Sequence, residues 1–180
     1  MMHDVRVGDR LLDADGAYSA VLTFLVYQQH RPATNYLQIS TNESTLEMTP
    51  SHLILMRRQG DTNPPRYLQA NRLRLGDHIF SLSSSNERMR EIVMIHETKR
   101  NDAYAPLTES GTLVVDELIV SCYAQYEHHS LIHAFMFPFR MWHKIKSHSL
   151  GFHEPSNDLH AYVRLWLSVS GFLDLLIHNV

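Results

Sequence analysis

A short sequence pattern occurs twice in this chain, 68 residues apart. The first copy is Val5-Arg6-Val7-Gly8-Asp9-Arg10-Leu11-Leu12, and the second is Leu73-Arg74-Leu75-Gly76-Asp77-His78-Ile79-Phe80. In each copy, an arginine between apolar residues leads into a Gly-Asp turn and then into a new apolar strand. The pattern predicts either an all-β module whose two halves arose by duplication, or two ordinary hairpin turns.

Short apolar runs separated by turn-forming residues continue between and after these two copies. Strands are predicted at 18–26, 35–40, 53–56 and 92–95, and a loop is predicted at 60–65, where Gly, Asp, Asn and two prolines cluster. We therefore expect a mostly β domain over residues 5–124. With the few residues before it, this domain is assigned to 1–124.

The hydrophobic period changes after Ala124. Apolar residues then recur at steps of three and four, which is typical of one face of a helix: Tyr162, Trp166, Val169, Leu173 and Leu176. The segment 135–146 mixes aromatic, apolar and basic residues. The sequence therefore predicts a second, helical region over 125–180.

Composition and charge restrict the class of protein. A hydrophobic content of 44% is enough for a core, and a net charge of −3 argues against a nucleic-acid partner, since phosphate contacts need a basic surface. A single cysteine rules out an internal disulfide framework. The first residues have no apolar segment typical of a signal peptide, and no apolar run is long enough to span a bilayer.

Thr49-Pro50-Ser51-His52 is a candidate catalytic motif. On a straight strand Thr49 and His52 would point to opposite faces, but Pro50 fits the second position of a β-turn and would bring both side chains to one site. Histidine exchanges protons near neutral pH, and a hydroxyl can orient it. The alternative is that Thr49 caps a helix beginning at Pro50.

Two further features involve Cys122 and the histidines of the C-terminal region. Cys122 lies in an apolar run, so it is either a buried, inert thiol or a reactive thiol next to a site. His129 and His133 have helical i, i+4 spacing, with His128 beside them, but no third ligand is placed as in known zinc motifs. We therefore predict no metal site.

These residues together resemble the C-terminal autoprocessing domain of hedgehog proteins, a Hint-type module. The resemblance rests on Ala-Pro-Leu-Thr-x-x-Gly-Thr-Leu-Val-Val at 105–115, on Ser-Cys-Tyr-Ala at 121–124, and on Thr49-Pro50-Ser51-His52-Leu53. The Gly8-Asp9 turn and the pair His160-x-Tyr162 also match. The resemblance covers nearly the whole chain and implies a pseudo-two-fold Hint fold with a helical C-terminal tail.

The resemblance implies a self-cleavage in two steps. A cysteine at the start of the module attacks the preceding carbonyl to give a thioester, and the hydroxyl of cholesterol then releases the upstream signalling domain as a sterol ester. By the family's pattern, His52 protonates the leaving amine, Thr49 supports the scissile peptide, and Cys122 is a redox partner of the nucleophile. Cholesterol is a second substrate, and no cofactor is implied.

The same resemblance gives partners and a location. The partners are the upstream signalling domain in cis, cholesterol, and a membrane surface bound through the tail, whose 125–180 segment corresponds to the sterol-recognition region. The expected location is the secretory pathway, in the endoplasmic reticulum, and then the extracellular side, associated with membrane.

Two positions depart from the family's pattern. The nucleophilic Cys-Phe and its strand would lie ahead of Met1, so we expect an N-terminally truncated module. An aspartate that activates the sterol follows the family's Phe-Leu, whereas Phe24-Leu25 is followed by Val26, which cannot accept a proton. His30 is the nearest titratable residue. The alternative function is therefore a catalytically inactive remnant that binds sterol or membrane, and a further one is a zinc hydrolase using the tail histidines.

Overall fold

The computed structural model describes residues 2–28, 33–83 and 86–124, and in the C-terminal region residues 133–134, 136–138 and 140–141. Within these ranges the chain forms β-strands and two short 3-10 helices, Met2–Asp4 and Ala70–Arg72. The strands are β1 (Arg10–Leu12), β2 (Tyr18–Gln28), β3 (Thr34–Ser40), β4 (Thr45–Met48), β5 (His52–Arg57), β6 (Arg66–Gln69), β7 (His78–Ser83), β8 (Asn86–Glu91), β9 (Met94–Arg100), β10 (Ala103–Thr108), β11 (Thr112–Val115) and β12 (Leu118–Ala124).

The strands form antiparallel sheets. One has the order β1-β2-β10 and another the order β4-β3-β9. The largest has the order β11-β12-β5-β7-β8, with β6 paired to β5. The mostly β prediction is confirmed, as is the loop at 60–65, which lies between β5 and β6.

The repeated sequence pattern forms the same turn twice. The Asp9 carboxylate accepts a hydrogen bond from the backbone N–H of Arg6 at 2.7 Å, and Asp77 accepts the same bond from Arg74 at 2.8 Å. The glycine of each turn has a positive φ, 95° in the first and 83° in the second, a conformation that glycine adopts without steric cost. The two copies of the pattern therefore form matching turns, as a pseudo-two-fold fold requires, and an origin of the halves by duplication stays a prediction.

The two halves exchange strands, so neither has a core of its own. The long strand β2 of the first half pairs with β10 of the second, and β9 of the second half pairs with β3 of the first. At the centre β5 and β12 pair directly, with Ile54 opposite Val120. The main buried cluster consequently draws on both halves and includes Ile39, Leu46, Ile54, Leu107, Leu118 and Val120.

The strand predicted at 92–95 is wrong in its boundaries. β8 ends at Glu91 and β9 begins at Met94. The intervening backbone N–H groups are used elsewhere, because Ile92 donates to the carbonyl of Asp77 at 2.8 Å and Val93 donates to that of Ser40 at 2.9 Å. The chain leaves one sheet and enters another at this point, which a run of apolar residues does not reveal.

The predicted helical tail falls mostly outside the described residues, including the apolar face at 162–176. The described residues between 133 and 141 are in helical or turn conformation, and the N–H of Arg140 donates to the carbonyl of Met136 at 3.0 Å. Met136 is 4% exposed and packs in the same cluster as Cys122 and Tyr123. In the described part of the chain no helix has the length and apolar character needed to cross a membrane.

Candidate functional site

The segment 49–51 is a corner between two sheets. β4 belongs to the β4-β3-β9 sheet, whereas β5 belongs to the largest sheet. The backbone N–H of His52 donates to the carbonyl of Thr49 at 3.0 Å and closes the turn, and the carbonyl of Pro50 accepts from Asn71 at 2.9 Å. The turn prediction is confirmed, and a strand rather than a capped helix follows it.

The corner brings the two predicted side chains together. Thr49 Oγ1 lies 3.2 Å from His52 Nδ1, within hydrogen-bonding distance. This contact orients the imidazole and occupies Nδ1, so Nε2 is the nitrogen left to exchange a proton. The spatial pairing is established; the catalytic roles stay a prediction.

Burial sets the protonation state of His52. Removing the ring from water disfavours its charged form and lowers its pKa to about 4. The imidazole is therefore neutral at physiological pH and can accept a proton before it donates one. A group that first accepts a proton and then donates it can carry that proton from one reacting atom to another within a single reaction.

The corner opens into a cleft of about 710 Å³. Each predicted site residue, namely Thr49, His52, Cys122 and Val26, lines this cleft. Its walls are largely apolar and include Leu25, Leu46, Met48, Leu113, Val115 and Val120. A concave apolar site with few polar groups suits an uncharged, hydrophobic ligand or an extended peptide.

Cys122 is a protonated thiol within this wall. It is 1% exposed, and burial raises its pKa to about 11. Its Sγ lies 3.2 Å from Thr108 Oγ1. The single hydroxyl proton of Thr108 goes to the carbonyl of Thr112 at 2.8 Å, and the N–H of Gly111 donates to the same Oγ1 at 3.1 Å. The thiol must therefore be the donor to Thr108.

Thr108 is the site residue that sequence reasoning missed. The Pro-Leu-Thr-x-x-Gly motif at 106–111 contained the signal, because a threonine three residues before a glycine can bond the backbone of its own turn. The contact with Cys122 joins β10 to β12, and no local pattern shows it.

Val26, which the resemblance aligns with a family aspartate, is an apolar residue of β2, and that correspondence stays a prediction. Val26 is 37% exposed, lies opposite Ala105 on β10, and lines the cleft. The nearby carboxylate of Glu47 is engaged, since Arg100 donates to it at 2.7 and 2.6 Å and lowers its pKa. Asp102 also lines the cleft. His30 lies outside the described residues.

The start of the C-terminal region is attached beside the Cys122 wall. The Arg140 guanidinium donates to the carbonyl of Glu109 at 2.5 Å and to that of His133 at 3.0 Å. His133 Nδ1 lies 3.3 Å from the Tyr123 hydroxyl, and a Cβ added at Gly111 would come within 2.3 Å of that nitrogen. The turn after β10 is thus a docking platform for this segment.

The histidine cluster is only partly described. His128 and His129 lie outside the described residues, so the prediction that the chain has no metal site stays a prediction. His133 contacts Tyr123, and burial, with the nearby Arg140 charge, lowers its pKa. Among the residues placed by the structure, no three His, Cys, Asp or Glu side chains are grouped to hold a metal ion.

The fold is that of solved inteins. The gp41-1 intein matches with a TM-score of 0.53 and 13% sequence identity, covering 67% of this chain and 84% of the intein. The MchDnaB-1 intein matches with a TM-score of 0.51 and 17% identity, covering 67% and 88%. At these identities the likeness concerns the fold alone.

Sequence comparison gives the family. Residues 1–174 match the Hint module. The tiggy-winkle hedgehog protein of Danio rerio is 28% identical over 149 residues, which are 79% of this chain and 36% of that protein. The Indian hedgehog protein of Gallus gallus is 30% identical over 150 residues, 78% of this chain and 36% of that protein. The chain thus spans about a third of these relatives. These matches are consistent with the Thr49–His52 corner and with the two interleaved halves described above. The chain belongs to the Hint family and is of the hedgehog type.

Proposed function

We propose that this chain is the autoprocessing module of a hedgehog-type protein. It would convert the peptide bond ahead of the module into a thioester and pass the upstream domain to cholesterol. The observation that carries the proposal is the contact between Thr49 Oγ1 and His52 Nδ1 at the opening of the cleft. A neutral imidazole held by a hydroxyl beside a cavity is the arrangement that an N-to-S acyl shift needs.

The first step moves one proton from sulfur to nitrogen. A cysteine supplied from outside this chain enters the cleft, and its thiol gives its proton to His52. The sulfur forms a bond to the preceding carbonyl carbon, the C–N bond breaks, and the imidazolium returns the proton to the leaving amine. Because His52 is neutral before the step and strongly acidic once protonated, it serves both transfers. Thr49 orients the ring.

The second step transfers the acyl group from sulfur to the hydroxyl oxygen of cholesterol. The new C–O bond forms, the C–S bond breaks, and the hydroxyl proton goes to the departing thiolate. Val26 offers no base for this proton, Glu47 is held by Arg100, and the other carboxylate of the cleft lining, Asp102, stands on the loop between β9 and β10 and not at position 26. We therefore expect sterol transfer to be slow compared with thioester formation.

The remaining partners follow from the same proposal. The upstream signalling domain is the substrate in cis, and the location is the secretory pathway and then the extracellular side. The C-terminal region would bind sterol at a membrane surface. Phe137 and Met141, four residues apart and 56% and 39% exposed, are apolar residues available for that contact.

A second candidate function is that of an inactive remnant that binds sterol or membrane. The observation that favours it is the state of Cys122, which is the single cysteine of the sequence and is held as a buried, protonated thiol in hydrogen-bonding contact with Thr108. Such a thiol does not attack a carbonyl at neutral pH. Without a thiol supplied to the cleft, binding is the function that remains.

The test is thiol-induced cleavage of a reporter that is joined to this chain through Gly-Cys-Phe and a first strand built on the family's pattern. We expect dithiothreitol to release the reporter, and His52→Ala to slow release by about 100-fold or more. The matched control is His96→Ala, an exposed histidine on β9, which should cleave normally. If the unaltered fusion does not cleave, the remnant is the better account.

The sterol step has its own variant. Val26→Asp restores a carboxylate at the cleft, and we expect cholesterol-dependent release to rise while release by dithiothreitol stays constant. The comparison separates the second step from the first. No change in cholesterol-dependent release would contradict the role assigned to this position.

A further inference from the structure

One tripeptide that can be covalently modified takes no part in the proposed reaction. Asn42-Glu43-Ser44 is the single Asn-x-Ser/Thr sequence in the 180 residues, and its middle residue is not proline. Such a sequence accepts an N-linked oligosaccharide in proteins that enter the secretory pathway. A sequence alone does not decide the outcome, because the folded protein must also have room for the glycan.

The structure places this sequence at an exposed hairpin tip. Residues 41–44 join β3 to β4, and Asn42 and Glu43 are exposed. The tip is closed by the N–H of Thr41, which donates to the carbonyl of Ser44 at 2.9 Å. The Glu43 side chain pairs with the buried Arg90. The neighbours of Asn42 are thus tied to the protein, and a group added to its amide would extend into solvent.

The tip is also remote from the cleft. Most of the cleft lining on this hairpin lies towards its other end, at Thr34 and Tyr36 on β3 and at Met48 on β4, and Leu46 is the lining residue nearest the tip. From Thr34 to Ser40 the strand advances six residues, roughly 20 Å. A glycan at the tip would therefore leave the Thr49–His52 corner open.

Apolar surface lies next to the tip. Val93 and Met94 are 45% and 48% exposed, and the backbone N–H of Val93 donates to the carbonyl of Ser40 at 2.9 Å. Met94 is the cross-strand partner of Ser40, two residues from Asn42. An oligosaccharide attached there would shield these side chains from water and from other chains.

We infer that Asn42 is an N-glycosylation site of this protein. The donor is a lipid-linked oligosaccharide pyrophosphate: its sugar C1–O bond breaks, a bond forms between C1 and Asn42 Nδ2, the amide loses one proton, and the lipid pyrophosphate leaves. This inference rests on the proposed secretory-pathway location. It is independent of the acyl chemistry, because the two sites lie at opposite ends of the hairpin.

The experiment expresses the full chain behind a cleavable secretory leader in insect cells and follows its mobility before and after peptide N-glycosidase. We expect one enzyme-sensitive step. Asn42→Gln and Ser44→Ala should remove that step. Ser44→Thr, which keeps the acceptor hydroxyl, should retain or increase the modified fraction.

A matched variant distinguishes failure of the site from failure of the location. In the Asn42→Gln background, Pro64→Ala with Pro65→Thr makes Asn63 an acceptor in an exposed loop. If Asn63 is modified there while Asn42 in the unaltered chain is not, the Asn42 site is overturned. If neither is modified although the leader has been removed, the chain accepts no glycan in the lumen and the Asn42 site is overturned. If neither is modified and the leader is retained, the chain does not enter the lumen even behind a leader, and the location and the site fail together.

Discussion

The two halves of this molecule share one backbone plan but differ at one connection, which joins β4 to β5 in the first half and β11 to β12 in the second. In the second half β11 and β12 form a hairpin within one sheet, and Asp116 and Glu117 connect them with φ of 49° and 68°. In the first half β4 and β5 belong to different sheets, and the three residues 49–51 form a corner between them.

This difference decides where chemistry can occur. The corner of the first half leaves a threonine and a histidine facing a cleft, and β5 begins with His52. In the second half β12 begins with Leu118, which is fully buried. One half therefore presents polar side chains at the site, while the other supplies the wall with Cys122 and the platform for the C-terminal segment.

The largest loss of stability should come from one of the two Gly-Asp turns. The two turns have the same backbone conformation, but their aspartates differ in burial. Asp77 is 3% exposed and pairs with Arg58, whereas Asp9 is exposed. Asp77→Ala would leave Arg58 without that partner and should lower the free energy of unfolding by about 4 kcal/mol. Asp9→Ala should cost about 1 kcal/mol. Urea unfolding measures both, and equal losses would contradict the asymmetry.

The next effect is a pH dependence from His52. In the unfolded chain histidine binds a proton near pH 6.5, whereas burial lowers its pKa in the folded chain to about 4. The unfolded state therefore gains protons as the pH falls between these values, and stability declines by up to about 3 kcal/mol. His52→Gln should flatten the decline in urea unfolding series, and His96→Gln should not.

A smaller effect should follow at the docking platform of the second half. Gly111 and Gly60 both have positive φ, 77° and 75°, but a Cβ would meet His133 only at Gly111. Gly60→Ala should cost about 1 kcal/mol and Gly111→Ala about 2 kcal/mol in free energy of unfolding. Trp142 directly follows the docked segment in the sequence, so we expect tryptophan fluorescence to change for Gly111→Ala and not for Gly60→Ala. Identical behaviour would contradict the docking contact.

The smallest expected effect is a gain in stability from a substitution in the β11–β12 hairpin of the second half. Glu117 has left-handed backbone, so Glu117→Gly should raise the free energy of unfolding by about 0.5 kcal/mol after the added flexibility of the unfolded chain. Ser51→Gly, in the corner of the first half, should lower it. Thermal unfolding distinguishes the two signs, and a loss at Glu117 would show that its side chain contributes more than its backbone costs.

Local sequence predicted what depends on local geometry. The Gly-Asp turns and the Thr49–His52 contact follow from turn-forming residues a few positions apart. The Thr108–Cys122 contact and the Arg140–Glu109 contact join residues 14 and 31 positions apart, so no periodicity reveals them. The error at 92–95 has the same origin, because Asp77 and Ser40 bind the backbone there.

The most direct test is the protonation state of His52 in the intact chain. Nitrogen–proton NMR spectra of the isotope-labelled protein, assigned with His52→Gln, should show a neutral ring at pH 6, with the Nδ1 signal altered by Thr49→Val. A neutral ring in that contact supports the corner as the site of acyl shift. A His52 that titrates near pH 6.5, with no response to Thr49→Val, would contradict the account.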